Sequence, residues 1–166
     1  MSSKDRITEK STHHSGPLDA AGLHIGVVVS RWNSEITTKL LEGCRSVLEK
    51  AGLAKEDLEV VFVPGSFEIP AGMSVLLAHG HYDAVIGLGC VVKGETRHDE
   101  YINHAVAQGL VQLNIKYQTP TIFGLLTVED QGQAEDRAGG KWGNKGEEAA
   151  ETAIQMARLY QRFKTQ

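Results

Sequence analysis

Four short apolar segments alternate with amphipathic segments along this chain, and the alternation limits the folds that it can adopt. The apolar segments cover residues 25–29, 58–63, 84–92 and 121–128. Between them, apolar residues recur at the three- and four-residue spacing of a helix that buries one face. Strands that are apolar throughout, separated by helices, are typical of a parallel sheet covered on both faces. Right-handed crossovers then predict an α/β fold, a three-layer αβα sandwich.

Apolar residues at helical spacing predict a helix after each strand. The predicted helices centre on residues 36–48, 69–77, 102–113 and 149–157, with a short one near 131–138. The last helix is expected to begin at Asn144, because Asn144 and Glu147 have the spacing of a capping box.

Composition excludes several classes of partner. The chain has 166 residues, of which 41% are hydrophobic and 23% charged, and this suits one folded domain. The formal net charge is -4, and no basic stripe with interleaved aromatic residues occurs, so no nucleic acid partner is expected. No apolar run is long enough to span a bilayer, and no signal peptide is recognisable. We therefore expect no membrane association and a cytoplasmic location.

The chain divides into a polar N-terminal arm and one domain. Residues 1–22 are polar and aperiodic, and we interpret them as a flexible arm. Residues 23–166 form the predicted folded domain. The cysteines, Cys44 and Cys90, form no CxxC pair and are expected to be reduced thiols.

No metal site is predicted. The adjacent pair His13 and His14 falls in the polar arm, where an exposed histidine pair rarely holds a metal. A second group is conceivable around His98 and His104, and a third at His79 and His81, but neither has a compact, complete ligand set.

Polar and aromatic residues follow each predicted strand. Parallel strands end at the same edge of a sheet, which is where open α/β folds bind ligands. The four segments at this edge are residues 30–33, 64–70, 93–98 and 127–130. Together they offer two aromatic rings, a carboxylate and a histidine. Such a set suits a flat heterocycle that carries a polyol and a phosphate.

Each of these residues alone has an ordinary structural explanation. Trp32 could be a core aromatic or an interface anchor, and Phe67 a packing residue. Glu68 could have no role beyond stabilising the start of a helix, and Gly94 no role beyond shaping a turn. A lone histidine such as His98 is structural or solvated in most proteins, so the predicted site rests on the convergence of these residues.

Several segments in this order resemble the 6,7-dimethyl-8-ribityllumazine synthase family over about residues 23–160. The motifs that carry the resemblance are RWNSEIT at 31–37, VPGSFEIP at 63–70, GETRH at 94–98 and GNKG at 143–146, with FG at 123–124 and DRAG at 136–139 in the phosphate-site segment. The resemblance implies a flavodoxin-like fold with a four-stranded parallel sheet. It also implies condensation of 5-amino-6-(D-ribitylamino)uracil with 3,4-dihydroxy-2-butanone 4-phosphate, in riboflavin biosynthesis, without cofactor or metal.

The resemblance also implies roles for residues at the ends of the first two strands. Trp32 would stack on the pyrimidine ring, and Asn33 would contact the ring edge. Ser66 and Phe67 would contact the heterocycle and the ribityl chain, and Glu68 would bind ribityl hydroxyl groups.

Further roles fall at and after the third strand. The backbone of Cys90, Val91 and Val92 would line the ring pocket. Glu95 and Thr96 would lie in the phosphate loop. The negative carboxylate of Glu95 would repel a phosphate. We therefore expect this side chain to point outward, so that only the backbone N–H of Glu95 faces the anion.

The remaining implied residues are a base and three groups from a neighbouring subunit. His98 would transfer protons, and its place near a helix start favours the neutral imidazole. Arg137 would pair with the phosphate, Phe123 would close the pocket, and Lys141 is a weaker candidate beside it. Asp99 stands where the family often has an aromatic residue, and could orient the imidazole or only cap the helix.

The resemblance implies a homo-oligomer built of pentamers, with each active site between adjacent subunits. No insertion separates the last two helices, which favours a shell of sixty subunits over a free pentamer or a decamer. Two other functions stay open at this point. They are an archaeal-type riboflavin synthase, which shares the fold, and a shell protein that binds flavin without catalysis.

Overall fold

A computed structural model describes residues 16–164 and contains one four-stranded parallel sheet. The strands are β1 (Ile25–Ser30), β2 (Leu58–Val63), β3 (Ala84–Val92) and β4 (Thr121–Val128), in the spatial order β2-β1-β3-β4. β1 and β3 are buried along almost their whole length. They form the centre of the sheet because both are flanked by other strands. The predicted flavodoxin-like αβα sandwich is confirmed.

Helices cover both faces of this sheet. They are α1 (Ser34–Lys50), α2 (Ile69–His79), α3 (His98–Tyr117), α4 (Gln131–Asp136) and α5 (Lys145–Lys164), with 3-10 turns at Lys55–Asp57 and Ser66–Glu68. α1, α4 and α5 pack in one apolar cluster, and α2 and α3 in the other. None of the helices in the described part of the chain combines the length and the apolar character needed to cross a bilayer.

Three local details differ from the sequence prediction. A short antiparallel hairpin, β5 (Ala138–Gly140) with β6 (Gly143–Asn144), follows α4. Its strands are too short to show an alternating pattern, which is why they were not predicted. β2 is only half buried, because it is an edge strand. α4 ends at Asp136, two residues before its predicted end. α5 begins at Lys145, and Asn144 just before it accepts from the N–H of Gly146 at 2.8 Å, as a cap does and as predicted.

The chain before β1 contacts the sandwich in its described part. Ala20 is fully buried, and its N–H donates to the carbonyl of Ala51 at 2.7 Å. The Arg158 guanidinium donates to the carbonyls of Asp19 at 3.0 Å and Ala21 at 2.8 Å. These contacts fasten this stretch to α1 and α5. The rest of the predicted arm, with His13 and His14, lies outside the described residues.

A close helix crossing holds α5 against α1. A Cβ placed on Gly146 would lie 1.8 Å from the carbonyl oxygen of Leu40, and one on Gly43 would lie 2.6 Å from the Asn144 side chain. Asn144 accepts a hydrogen bond from the N–H of Gly146 at 2.8 Å and donates to the carbonyl of Lys39 at 3.0 Å. Because the obstructing atoms at Gly146 belong to backbone, no side chain fits there.

We therefore expect Gly146→Ala to destabilise the protein, although alanine is normally the better helix residue. Forced overpacking of this kind costs about 1–3 kcal/mol or more, and urea unfolding should show a loss of at least about 2 kcal/mol. Gly16→Ala is the control, because no atom lies within 4 Å of the added methyl, and it should change stability by less than about 0.5 kcal/mol. Equal stability of the two variants would contradict this crossing.

Candidate active site

The candidate site is a groove that forms because β3 runs past β1. The pairing between these strands ends at Leu88, whereas β3 continues to Val92. Residues 89–92, the β3 overhang, stay paired with β4 on their other side. On the β1 side their backbone groups have no strand neighbour, and such groups need other hydrogen-bond partners. The segments that follow β1 and β2 lie beside this opening.

Asn33 fastens the chain after β1 to the overhang. Its Nδ2 donates to the carbonyl of Cys90 at 2.8 Å. The backbone of Asn33 is left-handed, with φ 57°, a conformation in which asparagine is enriched and which often occurs at functional sites. No hydrogen bond within residues 16–164 uses its Oδ1, so that oxygen is available to a ligand.

Trp32 and Glu68 meet at Gly65. The Trp32 ring covers Gly65 so closely that a Cβ there would lie 2.6 Å from it. Glu68 accepts a hydrogen bond from the N–H of Gly65 at 3.0 Å through Oε2. Trp32 is nevertheless 66% exposed. An aromatic ring and a half-buried carboxylate therefore lie side by side at the rim of the groove.

Ser66 and Phe67 form the wall that comes from the β2–α2 connection. Ser66 is buried, and its Oγ lies 2.5 Å from where a Cβ on Gly89 would be. Glycine at 89 thus lets this wall touch the overhang. Phe67, next to Ser66 in the chain, is 58% exposed. These placements bring the residues predicted at the first two strand ends to one groove.

The overhang offers backbone rather than side chains. Cys90 and Val91 are buried on opposite faces of the sheet, in different apolar clusters, and Val92 is half-buried. Burial raises the pKa of the Cys90 thiol to about 11, so the sulfur is a protonated core group at neutral pH. The same cause raises the pKa of Cys44 to about 12.

The segment 93–98 continues from the overhang and is exposed along its whole length. His98 is the first residue of α3, as the sequence prediction required. Glu95 and Thr96 make no side-chain hydrogen bond to any other part of residues 16–164. The acidic first turn of α3, with Asp99 and Glu100, lies next to His98.

An ion pair in this region escaped the sequence reasoning. Lys93 Nζ lies 2.8 Å from Glu129 Oε2, and the N–H of Lys93 donates to the carbonyl of Val128 at 2.8 Å. The strand register, which the sequence does not define, explains why it was missed. Val92 pairs with Val128, so the residues that follow the two strands must be neighbours.

Three predicted residues make no side-chain hydrogen bond or ion pair with the groove within residues 16–164. Phe123 is 37% exposed on β4, five positions before Val128, which places it about 17 Å from the strand end. Arg137 follows α4 and is exposed, and none of the ion pairs within residues 16–164 involves it. The Lys141 ammonium lies 4.8 Å from the centre of the Trp142 ring.

The described residues contain no group of three or more His, Cys, Asp and Glu side chains that could hold a metal ion. In particular, His98 and His104 are not part of such a group. Proton transfer, stacking and hydrogen bonding are the chemistry that the groove's own side chains can supply.

Comparison with known proteins identifies the family. The family model described as 6,7-dimethyl-8-ribityllumazine synthase matches residues 22–161. A protein of that name from Parabacteroides distasonis is 53% identical over 138 residues, covering 83% of this chain and 86% of the relative. Another, from Phocaeicola vulgatus, is 48% identical over 138 residues, covering 83% and 82%. Because the match spans the sandwich and every loop around the groove, this chain belongs to the 6,7-dimethyl-8-ribityllumazine synthase family.

Proposed function

We propose that this chain forms 6,7-dimethyl-8-ribityllumazine in the groove beside the β3 overhang. The substrates are 5-amino-6-(D-ribitylamino)uracil and 3,4-dihydroxy-2-butanone 4-phosphate, and the other products are phosphate and two water molecules. The protein is a transferase of riboflavin biosynthesis. The observation that carries the assignment of the site is that Asn33 binds the uncovered β3 overhang while Trp32 and Glu68 meet beside it at Gly65.

The overhang suits the edge of a pyrimidine. A uracil ring presents N–H donors and carbonyl acceptors in one plane, as an extended backbone does. Residues 89–92 lack a strand neighbour on the groove side, and Asn33 already binds one of their carbonyls. Trp32 supplies an open aromatic face at the same place. Stacking on that face while the ring edge meets the backbone fixes the ring in two directions.

The wall formed by Ser66 and Phe67 suits the ribityl chain. Glu68 uses Oε2 for the N–H of Gly65, and a carboxylate has further lone pairs for hydroxyl donors. The hydrogen bond to Gly65 holds the carboxylate in place before the substrate arrives, so less conformational entropy is lost on binding.

The phosphate of the butanone substrate requires a cation from outside the segment that follows the overhang. Residues 93–100 together with Glu129 contain two cations and four carboxylates, the latter including Glu95. These residues offer backbone N–H groups and the Thr96 hydroxyl, but their excess of negative charge disfavours a phosphate. The guanidinium of Arg137 has no ion pair among residues 16–164, so an arginine from a neighbouring subunit is the group we assign to this anion.

The exposed aromatic residue of β4 fits the same arrangement. Phe123 lies too far from the strand end to enter its own groove, yet it is partly exposed. We assign it to the groove of the adjacent subunit, where it would close the pocket, and place Lys141 near it. The active site then needs two chains, and a pentameric ring gives each groove one neighbour.

His98 is the proton-transfer group in this scheme. The amine of the uracil adds to the ketone, water leaves to give an imine, phosphate is eliminated, and ring closure expels a second water. Each step moves protons without changing the overall oxidation state. An imidazole at the start of α3 can accept and return them near neutral pH. Much of the rate comes from holding two substrates together.

The test of the function is absorbance of the lumazine product. Mixed with both substrates, the protein should form it at a rate that is linear in protein concentration. Omission of the butanone phosphate should abolish product. If lumazine instead disappears and riboflavin forms, the protein is a riboflavin synthase. Binding of lumazine or flavin without turnover would make it a shell protein, and either result overturns the proposal.

We expect the cytoplasmic protein to assemble from pentamers into a shell of sixty subunits. Light scattering at micromolar concentration should then give a mass about sixty times that of one chain, and electron microscopy should show hollow particles. A homogeneous pentamer would overturn the shell while leaving the shared site intact. A monomer with full activity would overturn both.

His98→Ala should slow turnover by about 10²-fold without abolishing it, because general acid–base catalysis contributes about 10²–10⁴-fold and the binding of both substrates remains. Single-turnover formation of the lumazine measures this. His81→Ala is the control, since His81 is also exposed but lies before β3, at the opposite edge of the sheet. No detectable product from a variant that still assembles and binds substrate would contradict this role.

A further inference from the structure

The loop 93–98 is held to the sheet at its first residue. Lys93 pairs with Glu129 at 2.8 Å, and its N–H donates to the carbonyl of Val128. From there to His98 every residue is exposed. Within residues 16–164, no other side chain of this loop makes an ion pair or hydrogen bond with a different strand. Arg97 does lie 3.8 Å from Glu100, but Glu100 is only three residues further along the chain.

Glu129 is itself fixed to the structure. Its N–H donates to the side-chain oxygen of Gln133 at 3.0 Å, and the N–H of Gln133 donates to Asp130 at 2.9 Å. Asp130 is the N-cap of α4. The carboxylate that holds Lys93 therefore belongs to a connection with its own hydrogen bonds. A tether made to such a fixed group limits where the start of the loop can move.

Electrostatics keep this tether charged at neutral pH. The hydrogen bond and the charge of Glu129 raise the pKa of Lys93, and the carboxylates of Asp99 and Glu100 add to the effect. Both partners are about half exposed or more. The ion pair is thus screened by salt and weak as a contribution to overall stability. Its consequence is local, in the position of the loop that leads to His98.

We propose that Lys93 and Glu129 are positioning residues that hold the loop 93–98 against the groove. This inference rests on the function proposed above, and it adds two residues that touch neither substrate in that scheme. The ion pair sets where the loop leaves the sheet, and hence where Thr96 and His98 meet the phosphate and the reacting amine.

Steady-state kinetics of Lys93→Ala, Glu129→Gln and the double variant test the proposal. Each single variant should lower kcat by about three- to fivefold, a small effect of the size expected for an exposed ion pair. KM for the ribitylaminouracil should stay unchanged. The double variant should be no worse than either single one, because both remove the same contact. The charge swap Lys93→Glu with Glu129→Lys should recover part of the rate.

Salt and a matched ion pair provide the controls. The rate ratio of wild type to variant should approach one near 1 M salt, since the pair is screened there. Lys145 and Glu148 form a partly exposed pair of similar length, 2.9 Å, outside the loop, and Lys145→Ala should behave as wild type. Damage from Lys93→Ala alone, with Glu129→Gln harmless, would show that Lys93 binds phosphate directly and would overturn the proposal. Wild-type rates in both variants would overturn it too.

Amide hydrogen exchange separates this inference from the proposed function. Lys93→Ala and Glu129→Gln should each speed exchange of the amide at position 93, which donates to the carbonyl of Val128, about three- to fivefold, whereas Lys145→Ala should not. If the wild type forms no lumazine, the function fails while faster exchange still supports the tether. If the wild type is active and exchange does not change, the tether fails and the function stands.

Discussion

The unequal length of two central strands is the constraint on which the rest of the structure depends. β3 runs to Val92, but its pairing with β1 ends at Leu88. If β1 and β3 were paired over their whole length, the interior of the sheet would have no backbone to offer a ligand. Here the uncovered backbone is kept at one edge, and Asn33 satisfies only one of its carbonyls. The position of Trp32, Ser66 and Glu68 follows, since each lies on a connection that must leave the sheet beside this opening.

Charge explains why the groove of one chain is only part of the site. The loop after the overhang, taken together with the first turn of α3 and Glu129, holds four carboxylates against two cations, while Arg137 and Phe123 are exposed. A bound phosphate needs a cation that offsets these carboxylates. In our account the Arg137 guanidinium of a neighbouring subunit supplies it on assembly, so catalysis and oligomer formation depend on the same surfaces. Because the ion pair of Lys93 with Glu129 holds this loop, it also determines where the loop lies relative to the partner subunit's Arg137.

The regular part of this fold is readable from the sequence. The boundaries of β3 and the helical face of α1 followed from uninterrupted apolar residues and from three- and four-residue spacing. The hairpin of β5 and β6 did not, because two- and three-residue strands carry no periodic signal. The residues of the groove were predicted as a set, yet their geometry was not. The left-handed backbone of Asn33 and the ion pair of Lys93 depend on strand register, which only the folded chain defines.

Complementation between two impaired variants tests the shared site most directly. His98→Ala and Arg137→Ala would be produced together in one cell, so that chains mix at random, and compared with each variant alone. If each site takes His98 from one chain and Arg137 from the next, about one site in four is intact, and lumazine formation should recover to roughly a quarter of the wild-type rate. Activity that stays at the average of the two separate variants would contradict a shared site.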